Sequence, residues 1–167
     1  MATSGAFELT GLDGVLDLLK SLPPEVVSKR GGPVKSALRK GALVILREAQ
    51  LNLARATDDL DADGTETSTG LLKKNLIASR GKAPNSGQGE RYLVRVRRKA
   101  YVGRKGETVT TLKTAQLLEY GSSHQPAEPW LRPAFHAKAE ESIRTVEREL
   151  VAGVDRVVKK LAKNGGR

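Results

Sequence analysis

The chain has 167 residues, 38% hydrophobic and 29% charged, which suits one domain spanning residues 1–167 with a modest core. It has no cysteine, so disulfides, thiolate metal sites and cysteine nucleophiles are excluded; with aromatics at 4%, the core must be mostly Leu, Val, Ile and Ala. A formal net charge of +10 predicts attraction to nucleic acid, an anionic surface or an acidic protein, and charge alone does not choose among them.

No apolar run approaches the ~20 residues of a membrane span. The opening MATSGAFELTGLDG lacks the charged-then-apolar order of a signal peptide. A soluble product made in the cytoplasm is expected, with residues 1–6 and 163–167 as flexible tails. Leu12, Val15, Leu16, Leu18, Leu19 and Leu22 have helical spacing, ended by Pro23-Pro24; a second helical piece runs from Glu25 to the Gly31-Gly32-Pro33 break. Val34, Leu38, Ala42, Ile45, Ala49 and Leu53 then recur at threes and fours, predicting a helix over 34–56 with its basic residues on other faces.

Residues 57–70 are polar and acidic and read as a loop. Residues 71–79 read as a first strand, and 81–89 as a glycine-rich turn. From Tyr92 to Val102 the pattern alternates: Tyr92, Val94, Val96, Ala100 and Val102 on one face, interrupted by Arg98, and Leu93, Arg95, Arg97, Lys99 and Tyr101 on the other, which predicts one strand. Gly103–Glu107 reads as a hairpin turn, and the β-branched run 108–114 as the antiparallel partner. Phe135, Ala139, Ile143, Val146, Leu150, Val154, Val157 and Leu161 form a long apolar stripe, predicting a helix over 133–161 with Pro133 in its first turn. The fold class expected is α+β: N-terminal helices, a small antiparallel β-sheet of three to four strands, and a long C-terminal helix.

Motifs of catalysis are scarce. Asp59, Asp61, Asp63 and Gly64 imitate the start of a calcium loop, but its twelfth position is Gly70 where a bidentate glutamate is needed. His124 and His136 have no patterned third ligand. Ser122 and Ser123 precede His124 without a nucleophile elbow or an orienting acid. No phosphate loop is present. The expectation is therefore no enzyme, no metal and no cofactor. The charge feature that stands out is the run from Arg91 to Lys105, with seven Lys or Arg and no acid. Arg95, Arg97 and Lys99 would line one strand face about 6.5–7 Å apart, joined by Arg104 and Lys105 in the turn. Such a row suits phosphates, an acidic protein or plain solvent, and no exposed aromatic ring beyond Tyr101 supports base stacking.

The most unusual stretch is LLEYGSSHQPAEPWLRPAF, residues 117–135, with three prolines and the chain's only tryptophan. Gly121 permits positive φ; Pro126, Pro129 and Pro133 stiffen the segment after it. Trp130 and Leu131 then form an apolar plug where the last helix begins. The corner either seats that helix or presents a pre-ordered aromatic to another protein, and the two are compatible.

This stretch resembles the E-[FY]-G-[TS]…P-A-x-P-[FW]-L-R-P-A signature of the neck, or tail-completion, family of lambda-like long-tailed phages, through Glu119, Tyr120, Gly121, Ser122, Pro126, Ala127, Pro129, Trp130, Leu131, Arg132, Pro133 and Ala134. FELTGLDGVLDLLKSLPPEV is similar to the family's opening, and Thr69–Leu76 to its T-G-x-L-[RK]-x-S-[IL] element, with Asn75 in place of the usual serine. The Gly31-Gly32-Pro33 break and the long 81–89 turn depart from the pattern. The resemblance implies a structural virion protein, made in the host cytoplasm, with no catalytic residues. It would form a ring, commonly a hexamer, that joins the DNA-filled head to the tail. Its expected partners are itself, head-closure or connector proteins, and tail-terminator or tail-tube proteins, with genomic DNA passing through the channel and no membrane. Subunit or ring contact is expected through Tyr120, Gly121, Pro126, Pro129, Trp130, Leu131, Arg132 and Pro133. Arg95, Arg97, Lys99, Arg104 and Lys105 are expected to face DNA or an acidic ring. The alternatives are the adjacent tail-terminator ring and a basic nucleic-acid-binding accessory protein.

Overall fold

A computed structural model of the chain describes residues 32–62, 70–82, 90–103 and 106–164. The helices expected before Pro33 lie outside the described residues. The first element, α1 (Pro33–Ala62), starts where the sequence places it but runs past the expected boundary at Thr57. Thr57 lies within the helix, where its hydroxyl donates to the carbonyls of Leu53 (3.0 Å) and Ala54 (2.9 Å). Asp59 and Asp61 are on helical backbone, and Asp63 and Gly64 lie outside the described residues.

The segment expected as a first strand splits in two. Gly70, at φ 64°, opens a single helical turn, α2 (Leu71–Asn75), and only then does strand β1 (Leu76–Arg80) begin. Its partner is β2 (Tyr92–Val96), antiparallel with Leu76 opposite Val96 and Arg80 opposite Tyr92. The alternation read over residues 92–102 holds only through Val96. The chain leaves the ladder at residues 97–99 and resumes as β3 (Ala100–Val102), which pairs antiparallel with β4 (Thr108–Thr110). The result is two sheets of two strands each. The turn between β3 and β4 closes as expected, with Gly103 N–H donating to the Glu107 carbonyl at 2.7 Å.

The β-branched run does not continue as strand beyond Thr110. Thr110 sits in extended backbone and its hydroxyl accepts from the Lys113 N–H at 3.3 Å, capping helix α3 (Thr111–Tyr120). Threonine suits both a strand and an N-cap, and here the cap position ends the strand. The last helix, α4 (Leu131–Asn164), begins two residues before Pro133. The fold is α+β, as the sequence predicts.

α1 and α4 run antiparallel. Pro33 lies against Gly153, Lys40 pairs with Glu149, Gly41 meets Ser142, and Asn52 reaches the Trp130 carbonyl. Gly41 sets the spacing: a Cβ there would lie 2.5 Å from Val146 Cγ2, and the Ser142 hydroxyl donates to the Gly41 carbonyl at 3.0 Å. The α1 stripe is consequently rotated from the one read in sequence. Ala37, Gly41, Ala42, Leu46, Ala49 and Leu53 are buried, while Leu38 and Ile45 are half-buried. Two clusters result. Ala37, Leu150 and Val154 close one end of the helix pair; at the other, Leu46, Ala49, Leu53, Leu76, Ala115, Leu118, Trp130 and Ala134 join α1, the first sheet, α3 and α4. Full burial of a large apolar side chain contributes about 1.5–3 kcal/mol, so this second cluster anchors the domain.

Candidate functional site

The proline-tryptophan corner begins where α3 stops. Gly121 has φ 74° and ψ −176°, a backbone region essentially reserved for glycine. A Cβ there would lie 2.8 Å from the Ala127 nitrogen. The reversal is tight because Ser122 N–H donates to the Gln125 carbonyl (2.8 Å), and the Ser122 hydroxyl accepts from the N–H groups of Gln125 (3.1 Å) and His124 (3.2 Å). Ser122 is thus a turn-forming acceptor. Glu128 N–H then donates to the Leu118 carbonyl at 2.8 Å. The loop runs back along α3 and delivers Trp130 beside Glu119.

Glu119 closes the corner. A helix starting at Leu131 leaves four N–H groups without an internal acceptor, those of residues 130 to 133. Glu119 Oε2 accepts from Trp130 N–H (2.9 Å) and Leu131 N–H (2.8 Å), and Oε1 accepts from Arg132 N–H (3.1 Å). The fourth residue is Pro133, which has no N–H. Every free donor of the α4 start is thereby satisfied or absent, and a negative charge sits at the positive end of a long helix. The Arg132 guanidinium completes the arrangement: its Nε donates to Oε1 at 2.9 Å and an Nη donates to the Glu119 carbonyl at 3.0 Å. Glu119 is only 4% exposed. Burial pushes its carboxyl upward, but the N–H donors of Leu131 and Trp130 and the Arg132 side chain outweigh burial and hold it below the ordinary carboxylate value.

Trp130 belongs to the chain's own core. It is 1% exposed, its indole N–H points at the Ala115 carbonyl (3.5 Å), and its carbonyl accepts from the Asn52 amide (3.2 Å). The apolar plug expected at the helix start is present, and Trp130 is spent inside the chain's own core. Leu131 and Gly121 are half-buried, and Pro126, Pro129 and Pro133 are exposed. What the corner turns outward is Tyr120, 65% exposed, with the Arg132 guanidinium 4.9 Å from its ring centroid. Leu112 and Leu117 are also partly exposed on α3. On the other flank, Asn52, Arg55, Ala56, Glu128, Pro129 and Pro133 line an open groove. The sequence marks Glu119 only as one letter of the signature. Its position among the inward residues Thr111, Ala115 and Leu118 is the signal that it is a buried charge with a partner.

The basic row is differently built from the expectation. Arg95 is on β2, and its Nε donates to the Ser79 hydroxyl at 2.8 Å. Arg97 and Lys99 are in the link between β2 and β3, so the three do not share a face of one strand. All three are exposed. The link is held by Thr111, whose hydroxyl donates to the Arg97 carbonyl (2.7 Å) and accepts from Lys99 N–H (2.9 Å), while its N–H donates to the Lys99 carbonyl (2.9 Å). Arg104 and Lys105 lie outside the described residues. Among the described residues, no group of three His, Asp or Glu is placed to hold a metal ion.

The chain matches no protein-family model, no curated protein and no solved structure.

Proposed function

We propose that the protein is a structural subunit of the neck of a long-tailed phage, assembling as a ring that joins the DNA-filled head to the tail. One observation carries this reading: the signature positions Glu119, Trp130, Leu131 and Arg132 close as one hydrogen-bonded clamp at the start of α4, with Tyr120 against the Arg132 guanidinium. Within this reading Trp130 and Glu119 hold the corner from inside, and Tyr120, Arg132 and the exposed prolines meet the neighbouring subunit or ring. The exposed cations supply a charged contact with DNA or an acidic neighbour. The work is done by shape and docking, without chemistry.

The test is genetic and structural. In a phage carrying this gene, its disruption should give DNA-filled heads and finished tails that stay separate, and adding the purified chain to the lysate should join them. Normal infectious particles from the disrupted phage would refute the assignment. Tyr120→Ala, an exposed change, should reproduce the unjoined particles with a folded protein.

A further inference from the structure

The exposed cations next to Thr111 are not a simple strand face. Asn75 is buried, its amide donates to the Leu71 carbonyl (2.8 Å), and its own carbonyl accepts from Arg97 N–H (2.8 Å). That last bond brings the end of α2, with Lys73 and Lys74, against the link of Arg97, Arg98 and Lys99. We propose that Lys73, Lys74, Arg97, Arg98 and Lys99 form one binding site for the phosphate backbone of nucleic acid.

Three observations support it. In a strand, one of three successive residues would face the core. Here Arg97, Arg98 and Lys99 are all exposed, because Thr111, itself 1% exposed, fixes the link out of the ladder with three hydrogen bonds. Lys73 and Lys74 are exposed beside them. Among the described residues none of the five is paired with a carboxylate, although five other Lys or Arg side chains are. A cluster of unneutralised cations on a fixed backbone is a surface whose counterions are released when a polyanion docks.

The composition chooses the occupant. A protein partner is commonly gripped by large apolar or aromatic anchors in desolvated pockets, and Lys73-Lys74 and Arg97–Lys99 include none. Phosphate requires only charge and N–H donors. The absence of an aromatic in these segments argues against base stacking, and a row of exposed cations matches the charge of the phosphates, so the site is assigned to the backbone, with equal binding of unrelated sequences as its mark. This choice sharpens the charged contact of the joining reading, but its test does not depend on that reading.

The test uses the full chain and labelled DNA duplexes of about 30 base pairs with two unrelated sequences, with binding followed by fluorescence anisotropy from about 0.05 to 0.25 M salt. Both duplexes should bind equally, with a slope of log K against log salt no steeper than about −4.5, the value for five phosphate contacts. The pair Lys73→Glu and Lys74→Glu removes two contacts, which at 0.1 M salt corresponds to a loss of roughly 60-fold or more. Arg97→Gln with Arg98→Gln should weaken binding in the same way. The control pair Arg144→Glu and Arg148→Glu, on α4, makes the same net-charge change as the lysine pair and should leave affinity nearly unchanged. An equal loss in the control would overturn the site in favour of bulk charge. No binding at low salt would overturn it outright, and so would competition by poly-glutamate as effective as that by DNA, which would mark an acidic-protein site. Failure of the joining reading would appear as normal particles from the disrupted phage and would not move these measurements.

Discussion

Removing the Glu119 carboxylate should be among the most damaging single changes in this domain. Glu119→Ala strips the acceptor from three backbone N–H groups and one guanidinium N–H at once. A hydrogen bond to a charged group has a net worth of about 1.5–3 kcal/mol when its partner is left buried and unserved. Trp130 is buried and its N–H would incur that full amount, whereas Leu131 and Arg132 are accessible enough for water to replace part of the loss. The expected cost is about 4 kcal/mol, a large share of the ~5–15 kcal/mol that stabilises a typical domain. Glu119→Gln keeps an accepting oxygen but turns an NH2 group toward a donor, and should cost about 2 kcal/mol. Arg132→Ala should cost no more than about 1 kcal/mol, since its side chain is 53% exposed. Urea unfolding read by tryptophan fluorescence measures all three at the site itself, because Trp130 is the chain's only tryptophan. If Arg132→Ala destabilises as much as Glu119→Ala, the ion pair and not the helix cap holds the corner, and the reasoning fails. A silent Glu119→Gln would refute it equally.

The same geometry sets other outcomes. Glu119 is held below its ordinary value of 4.5, so its stabilisation is complete above the ordinary carboxylate range and is lost as pH falls through the folded value. The acid limb of a stability-versus-pH curve should therefore flatten in Glu119→Gln, and an unchanged limb would contradict the assignment. Gly121→Ala forces a Cβ to 2.8 Å from backbone at positive φ, and should lower the urea midpoint by about 2–3 kcal/mol worth of stability. Gly41→Ala meets Val146 at 2.5 Å, so it should destabilise alone and be partly rescued by Val146→Ala; strict additivity in that double-mutant cycle would show that the helices do not touch there. Thr111→Val keeps the shape but leaves Lys99 N–H without its acceptor, so amide exchange at Lys99 should accelerate, at a cost of about 1–2 kcal/mol.

How much of this is visible in the letters depends on what holds each element. α4 is legible because its stripe is made of large aliphatics at threes and fours: Val146, Leu150, Val154 and Val157 all lie on the packed side. The face of α1 reads slightly off-centre because its closest contact is made by Gly41 and Ala37, which carry almost no hydrophobic signal. The break after Val96 leaves one mark in the letters, Arg98 on the face that should be apolar, but one interruption does not separate a single strand from two; the partners, Asn75 and Thr111, do. The run of threonines hides a helix for a related reason, since Thr110 is as good an N-cap as a strand residue. At the corner, the rigid turn and the apolar plug are readable. The direction in which the tryptophan faces is not, because an aromatic beside prolines looks the same in sequence whether it packs inward or out. Glu119 escapes because a carboxylate's role is set by donors eleven to thirteen residues away.

Because α4 takes its opening cap from α3, the first turn of the thirty-four-residue helix is conditional on the shorter helix being in place. The same two helices meet at the surface, where Arg132 lies over Tyr120. A neighbour that presses on this tyrosine–arginine pair therefore pushes on a joint. Strain on that pair would reach the near end of the helix that packs along α1 through the Glu119 cap.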